Sequence, residues 1–572
     1  MSRMTRLDYL FLVVLAVFFG GIGLHWVSVY QTGQPFNIDE SGYLCIAFND
    51  YRSWVHQGLF GFLKALEARS IQAPITTGLT AFLFALFGVR LYLAMLVPLF
   101  FYVATIWVSY FIARRVVARS GASLVAVLVA CCPAILVYSR DFIFAVPAMF
   151  FYTFAVLAII KSQHFSNKKW VVLFGVACGL VPLARTVTIA FVPSLWLAAL
   201  VCAVTGVSVK QNLKYFAWSV VLSIFVAALW LARSGGKVFK YLTGYGYGAH
   251  AHEYGKALHI NPLGIALHAV AIVNESINIF YLLVFAASLC VAAILRARLN
   301  RSRLRAFLKS DVFLLLICVL GPLAALCSTQ NKGTGFFVPI LPTLIALCVA
   351  CLFSLSAHRF YKALLYTALL LVAASGLLPA LSQASGLATP RILTQSVFGP
   401  VVFTNGEGVI QQWEAGSGYK SADPSLPVSL ATGQDWIAFN LKTVELIQNM
   451  GGMNETAAIG FVHLLYNTGS VSLEEYLKYG RLIGKGTYGI DPVVTGNNVA
   501  GDLKWLTSGQ AHDACILLTA KNIQPGVSPF ALSIDETALE TAAVQAGFQQ
   551  KQQLVMPDGN LLVLWMRPST CS

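Results

Sequence analysis

The stretch RLYLAMLVPLFFYVATIWVSYFIARRVVAR, residues 90–119, decides the fold. Nothing between Arg90 and Arg114 carries a charge, and the run ends in the cluster Arg114, Arg115, Arg119. A helix rising about 1.5 Å per residue over such a run crosses a hydrocarbon core of roughly 30 Å. Comparable apolar runs recur from Leu10 to Leu381. Of 572 residues, 57% are hydrophobic and 11% charged, against about 25% charged in a water-soluble domain. The mean hydropathy is +0.71. Composition therefore excludes an ordinary soluble enzyme, a disordered chain and a disulfide scaffold, and indicates a polytopic membrane protein.

The net charge of +15 conceals a split: +20 up to residue 381 and −5 from Ser382 onward. The positive charge sits in six short clusters between apolar runs: Arg3/Arg6, Arg114–Arg119, Lys161–Lys169, Lys210/Lys214, Arg296–Lys309 and Arg359/Lys362. Such clustering is a topology signal and does not point to nucleic acid. If all six face the cytoplasm, the chain crosses twice between successive clusters. Eleven spans satisfy this: about 9–29, 90–113, 120–138, 142–160, 170–184, 186–207, 215–232, 277–295, 312–328, 335–356 and 361–381. The N-terminus is then inside and the C-terminus outside. The run Ala73–Phe87 is too short for a span and reads as an interfacial or re-entrant helix.

The expected fold is thus an α-helical polytopic membrane domain, residues 1–381, followed by an extracytoplasmic α/β domain, residues 382–572. External loops are expected at 30–74, with interfacial helices, and at 233–276. In the C-terminal domain, Asp435 reads as the N-cap of a helix to Met450 with Gly451 just beyond. Thr456–His463 and Ala514–Leu518 read as buried strands. Ser472–Glu475 and Ser533–Glu536 fit helix-starting capping boxes, and Pro557-Asp558-Gly559 fits a hairpin turn. No glycine-rich nucleotide loop is present. Most of the twelve cysteines lie in apolar runs, and Cys45, Cys515 and Cys571 stand singly. They read as small core hydrophobes, with no metal site and no cofactor implied.

With this topology, most acids of the membrane part face outward, and chemistry is expected there. Asp39 and Glu40, in Asn37-Ile38-Asp39-Glu40-Ser41-Gly42-Tyr43, stand about ten residues past the first span. A carboxylate held near a membrane surface can take a proton from a sugar hydroxyl. Asp39 equally fits an N-cap opening an amphipathic helix through Phe48, with Glu40 in its first turn. The two readings are compatible. Arg140-Asp141, at the outer end of the third span, is either a solvated pair or an anion-binding cation beside a second acid. Arg185, Arg90 and Lys332 occupy outer-edge positions as interfacial anchors, or together as ligands of a lipid phosphate. The loop around His250, His252 and Glu253, rich in glycine and tyrosine, suits a cover over a sugar or lipid head group better than a metal site.

These features together resemble the GT-C superfamily of integral-membrane glycosyltransferases, specifically the aminoarabinose (lipid A) transferase and protein O-mannosyltransferase branch. The family's acidic pair, D-E-x-x-Y, matches Asp39-Glu40-Ser41-Gly42-Tyr43. Its interfacial helix ending in F-G before an arginine matches Phe87-Gly88-Val89-Arg90. Its hairpin ending in a basic residue matches Gly179 through Arg185. The histidine loop matches His250 and His252, and the late lysine before a proline-containing span matches Lys332 and Pro339 to Pro342. The family's aspartate before the proline matching Pro147 is Val146 here, with Asp141 six residues earlier.

The resemblance implies a hexosyl- or pentosyl-type enzyme that moves a sugar from a polyprenyl-phosphate donor to an acceptor hydroxyl, inverting the anomeric centre. The acceptor is a glycan, lipid or protein. Action at the outer face of a bacterial-type cytoplasmic membrane follows, in envelope glycan, lipopolysaccharide or protein glycosylation. The implied roles are Asp39 as base, supported by Glu40, with Asp141 as possible second acid. Arg185, Lys332, Arg140, Arg90, Tyr43, His250 and His252 would bind substrate or lipid phosphate. Two rivals are a secondary transporter or lipid flippase and a non-catalytic subunit of an envelope assembly. The outer-face acids and the lack of repeats weigh against transport.

Overall fold

In the computed structural model, the described residues are 5–29, 35–69, 71–248, 250–251, 277–297, 301–330, 334–355, 359–384, 392–396, 399–404, 430–451, 456–463, 465–480, 487–521 and 534–570. They form two compact units. The first comprises Met1–Val27, Gln57–Gly246 and Lys256–Gly406; the second comprises Ser28–His56, Tyr247–Gly255 and Glu407–Ser572.

The helices of the membrane part are α1 (Arg6–Val29), α2 (Ile38–Glu67), α3 (Pro74–Phe87), α4 (Leu91–Val116), α5 (Arg119–Cys131), α6 (Pro133–Tyr138), α7 (Ala145–Lys161), α8 (Lys168–Ala184), α9 (Val192–Val204), α10 (Val209–Tyr247), α11 (Ile279–Ala297), α12 (Arg301–Leu308), α13 (Asp311–Cys327), α14 (Leu341–Leu355) and α15 (Arg359–Ala384). Each apolar segment expected to span is helical. By length and apolarity, five described helices can cross a bilayer, or six if the bent pair α12–α13 is one span. Five shorter apolar helices stand beside them. Within Ala73–Phe87, residues Pro74–Phe87 form the 14-residue helix α3, with Ala73 as N-cap.

Small residues let the helices approach. A Cβ on Gly175 or Gly179 of α8 would lie 2.8 Å or 2.5 Å from the Ser219 or Ser223 carbonyl of α10. Small residues four apart on both helices therefore face each other, a common device for packing helices in lipid. The segment 233–276, expected as a loop, instead begins inside α10, which continues to Tyr247. The extension is held from outside: the Trp230 indole and the Ser234 hydroxyl both donate to the Arg69 carbonyl. Val238 and Trp230 also pack against Leu183.

At one end of this unit the basic clusters meet. Arg119 Nε lies 2.6 Å from Asp8 Oδ1, and Arg115 Nε lies 3.0 Å from Asp311 Oδ2. The Tyr110 hydroxyl also donates to Asp8, at 2.6 Å. Lys161 sits over Phe111, Lys168 over Tyr215, and Ser120 bonds Tyr366 on the helix opened by Arg359. These contacts link the elements that carry five of the clusters with α13, which directly follows the sixth.

A hairpin of β1 (Ile392–Ser396) and β2 (Gly399–Thr404) follows α15. The second unit then contains α16 (Leu430–Gly451), β3 (Thr456–Ile459), α17 (Thr468–Tyr479), β4 (Thr487–Gly489), α18 (Pro492–Thr495), α19 (Val499–Thr507), β5 (Ala514–Lys521), α20 (Glu536–Gln545), β6 (Gln549–Val555) and β7 (Leu561–Met566). The sheet order is β4-β3-β5-β7-β6. β3 is parallel to β4 and β5, while β7 is antiparallel to β5 and β6.

Strand alternation divides the core. Ala457, Ile459, Ile516, Leu518, Leu562 and Leu564 face a cluster with Trp436 and Val444 of α16. Ala458, Leu517, Val563 and Trp565 face another with Leu539 of α20 and Leu506 of α19. Helices on both faces explain why these strands read as continuous apolar runs.

Several boundaries differ from the sequence reading. Asp435 lies inside α16, which starts five residues earlier and includes Gly451. Ser472 lies inside α17, whose cap is Asn467 with Ser470 returning the bond. Asp535, not Ser533, caps α20. In the first case the Asn467 side chain holds the first free N–H groups, and in the second Asp535 does so, Ser533 lying outside the described residues. Cys515, expected as an isolated core hydrophobe, is disulfide-bonded.

Candidate active site

The acidic pair opens α2, and the local hydrogen bonds give its two members different jobs. Asn37 is the cap: its Oδ1 accepts from the N–H groups of Asp39 and Glu40 at 2.9 Å and 3.0 Å. Glu40 completes the capping box by accepting from Asn37 N–H at 3.3 Å. The expectation that Asp39 itself caps the helix is therefore corrected, because Asn37 already holds the first free N–H groups. Glu40 is buried and Asp39 is exposed. Both lie in the first turn, where the helix dipole favours negative charge. Tyr43 follows Asp39 by four residues, on the same side of the helix and about 6 Å along it.

The helix breaks at Gly58, with φ 65° and ψ −164°, a conformation that favours glycine. Beyond the break, in the first unit, stands Arg69, a residue the sequence reading passed over inside the 30–74 loop. Its side chain is buried and its Nη1 donates to the Thr77 hydroxyl and the Ala73 carbonyl. Burial pulls its guanidinium down to about 9. The available signal was a lone arginine directly before an apolar helix.

Arg185 sits between α8 and a 3-10 turn, Thr186–Phe191, where the backbone is extended. Its Nη1 donates to the Gly335 carbonyl at 2.6 Å, and its guanidinium lies 4.5 Å from the Phe336 ring centre. The neighbouring Thr186 hydroxyl donates to the Ile71 carbonyl, tying the Arg185 corner to the segment just after Arg69. Gly335 also lies against the ring of Tyr138, two residues before Arg140.

Arg140 and Asp141 occupy the turn between α6 and α7 and are both buried, so the solvated-pair reading is corrected. The Arg140 guanidinium lies 4.6 Å over Trp26. Burial lowers it to about 10, while nearby Tyr102 and Asp141 act in the opposite sense.

Of these residues, Arg185 contacts the segment entering α14 directly, while Arg69 and Arg140 are linked to it through sequence neighbours, Ile71 bonded to Thr186 and Tyr138 against Gly335. Arg90 is exposed at the start of α4 and donates to Tyr92 at 3.2 Å. His250 is half-buried in a short turn. His252 and Lys332 lie outside the described residues. Among the described residues, no three metal-ligating side chains gather.

Residues 72–230 match the family of dolichyl-phosphate-mannose-protein mannosyltransferases. The match includes Arg90, Arg140, Asp141 and Arg185, and no curated protein sequence matches the chain. The chain resembles the GT-C superfamily of integral-membrane glycosyltransferases, and has their fold. It is similar to ArnT from Cupriavidus metallidurans in the apo state, with a TM-score of 0.53, 14% identity and 97% of each chain covered. Against the same bacterium's ArnT bound to undecaprenyl phosphate, the TM-score is 0.50, with 14% identity and 98% of each chain covered.

Proposed function

We propose that the protein transfers a sugar from a polyprenyl-phosphate-linked donor to an acceptor hydroxyl, on the outer face of the cytoplasmic membrane. Asp39 accepts the proton of the acceptor hydroxyl as its oxygen attacks the anomeric carbon. The bond from that carbon to the phosphate oxygen breaks, the configuration inverts, and polyprenyl phosphate leaves. Glu40 holds the turn that presents Asp39. Arg185 and Arg140, joined by Arg69, stabilise the charge that grows on the leaving phosphate. Asp141 orients Arg140, Tyr43 contacts the sugar, and Lys332, Arg90, His250 and His252 assist in binding substrate.

The observation that carries this reading is the division of labour in the capping box. It spends Asn37 and Glu40 on structure and presents Asp39 on the exposed side of the helix. The outer-face placement is supported by the basic clusters meeting at one end of the membrane unit, the end that the positive-inside rule assigns to the cytoplasm. It is also supported by the Cys515 disulfide, which belongs in an oxidising compartment. This orientation puts the N-terminus in the cytoplasm and the C-terminal region outside.

The test is turnover by the purified protein in nanodiscs, supplied with polyprenyl-phosphate sugars. Stoichiometric release of polyprenyl phosphate and a glycosylated acceptor is expected. A folded protein that releases none from any donor overturns the reading.

A further inference from the structure

The helix that carries Asp39 is gripped from its other side by residues more than four hundred positions away. The first half of α2 and the whole of α17 belong to the same compact unit. Cys45 Sγ donates to the Gly469 carbonyl at 3.5 Å. The rings of Phe48 and Tyr476 stack, with centres 5.2 Å apart and planes 6° apart. The Tyr476 hydroxyl donates to Asn49 Oδ1. A Cβ on residue 469 would stand 2.6 Å from Ser41 Oγ and 2.9 Å from the Gly42 nitrogen, so only glycine fits there.

Ser41, Cys45, Phe48 and Asn49 fall on one stripe of a helix that turns 100° per residue. Asp39 and Tyr43 fall on the opposite stripe. The grip therefore holds α2 on the stripe opposite the one that carries Asp39 and Tyr43.

The gripping helix is itself fixed. Asn467 and Ser470 close its N-terminal capping box. Asn467 Nδ2 also donates to the His463 carbonyl, and His463 Nε2 lies 3.0 Å from Asp558 in the β6–β7 hairpin, with both side chains buried. A continuous series of bonds thus runs from the sheet through α17 to the back of the acidic helix.

We propose that Tyr476 is a positioning residue of the transfer reaction: its stack on Phe48 and its bond to Asn49 fix the rotation of α2, and hence the direction of Asp39. The proposal rests on Asp39 being the base. It makes the C-terminal region part of the catalytic machinery, whatever acceptor it meets.

The experiment uses the full chain in nanodiscs and two readouts. Tyr476→Ala should lower kcat about 10- to 100-fold, the range expected when a base is misplaced by about 1 Å. KM for the polyprenyl-phosphate sugar should stay within about twofold, because the donor's contacts are untouched. Tyr476→Phe keeps the stack and should recover most of kcat. By hydrogen exchange, amides of residues 38–49 should open faster in Tyr476→Ala and not in Tyr476→Phe. If the alanine variant fails to fold, Phe48→Leu keeps apolar volume without the stack and should show the same pattern more weakly.

Unchanged kcat per folded molecule, or lost kcat with unchanged exchange over residues 38–49, overturns the proposal. A wild type that depends on Asp39 but is indifferent to these variants refutes the grip alone. A wild type indifferent to Asp39→Asn refutes the base, and with it the proposal.

Discussion

The two ends of the membrane unit treat their arginines differently. At the end where the basic clusters meet, Arg119 and Arg115 close on Asp8 and Asp311, and Asp8 is nearly inaccessible. At the end that holds Arg69 and Arg185, Arg233 also pairs with Glu67, at 3.1 Å, but Arg69 and Arg185 themselves reach carbonyl oxygens, a hydroxyl and an aromatic face. A carboxylate cancels a guanidinium's charge. A carbonyl or a ring fixes its direction and leaves the charge in place. The first arrangement locks helices together; on the proposed function, the second would hold guanidinium groups in place for the leaving phosphate.

Substitutions can break this contrast, beginning where the proton goes. Asp39→Asn should reduce polyprenyl phosphate release by about 10²- to 10⁴-fold, the usual range for loss of a general base. An equal rate in a single-turnover assay would return Asp39 to a purely structural role. Arg185→Ala should cost about 10²- to 10³-fold in kcat, with partial recovery in Arg185→Lys. A loss confined to KM would mean that the cation binds the ground state only.

The opposite end should respond in stability. Asp8→Asn should cost about 2 kcal/mol, less than a fully buried pair because Arg119 remains 42% exposed. Thermal unfolding reads this, and turnover per folded molecule should not change.

The second unit adds a pH dependence on a similar scale. Burial raises Glu474 from 4.5 to about 7. The folded carboxyl binds its proton more tightly than the unfolded one, so stability falls as pH rises from about 4.5 to 7, by up to about 3 kcal/mol. Glu474→Gln should flatten that slope in denaturation curves. The smallest effect is expected at Arg90, which is exposed and bonded to a neighbouring tyrosine. Arg90→Ala should change kcat/KM less than about threefold, the effect of a peripheral substrate contact, and a larger loss would make it a direct ligand of the phosphate.

The sequence made the membrane part legible because burial in lipid forces long apolar helices and leaves charges only at their ends. The location of the acidic pair was legible for the same reason. Its internal roles were not: N-x-x-E over Asn37–Glu40 is a capping box, but Asp39 inside it competes as a cap by residue type alone. Arg69 escaped notice because it is held partly from afar: Trp230 and Ser234 of α10, more than 150 positions away, bond its carbonyl. α10 ran past its expected end for the same reason. In the C-terminal unit, sandwiched strands announced themselves by apolar runs. Helix starts were misplaced wherever an Asx side chain stood close to a serine.

The disulfide at Cys515 sets the order in which a newly made chain matures. β5 lies between β3 and β7, so the cross-link attaches to the middle strand of the sheet. On the proposed orientation that strand is translated after every helix of the membrane part, and must be exported before a thiol oxidant can reach it. Host strains lacking such an oxidant should therefore accumulate inserted protein with an unsealed sheet, open to proteolysis from the outer side.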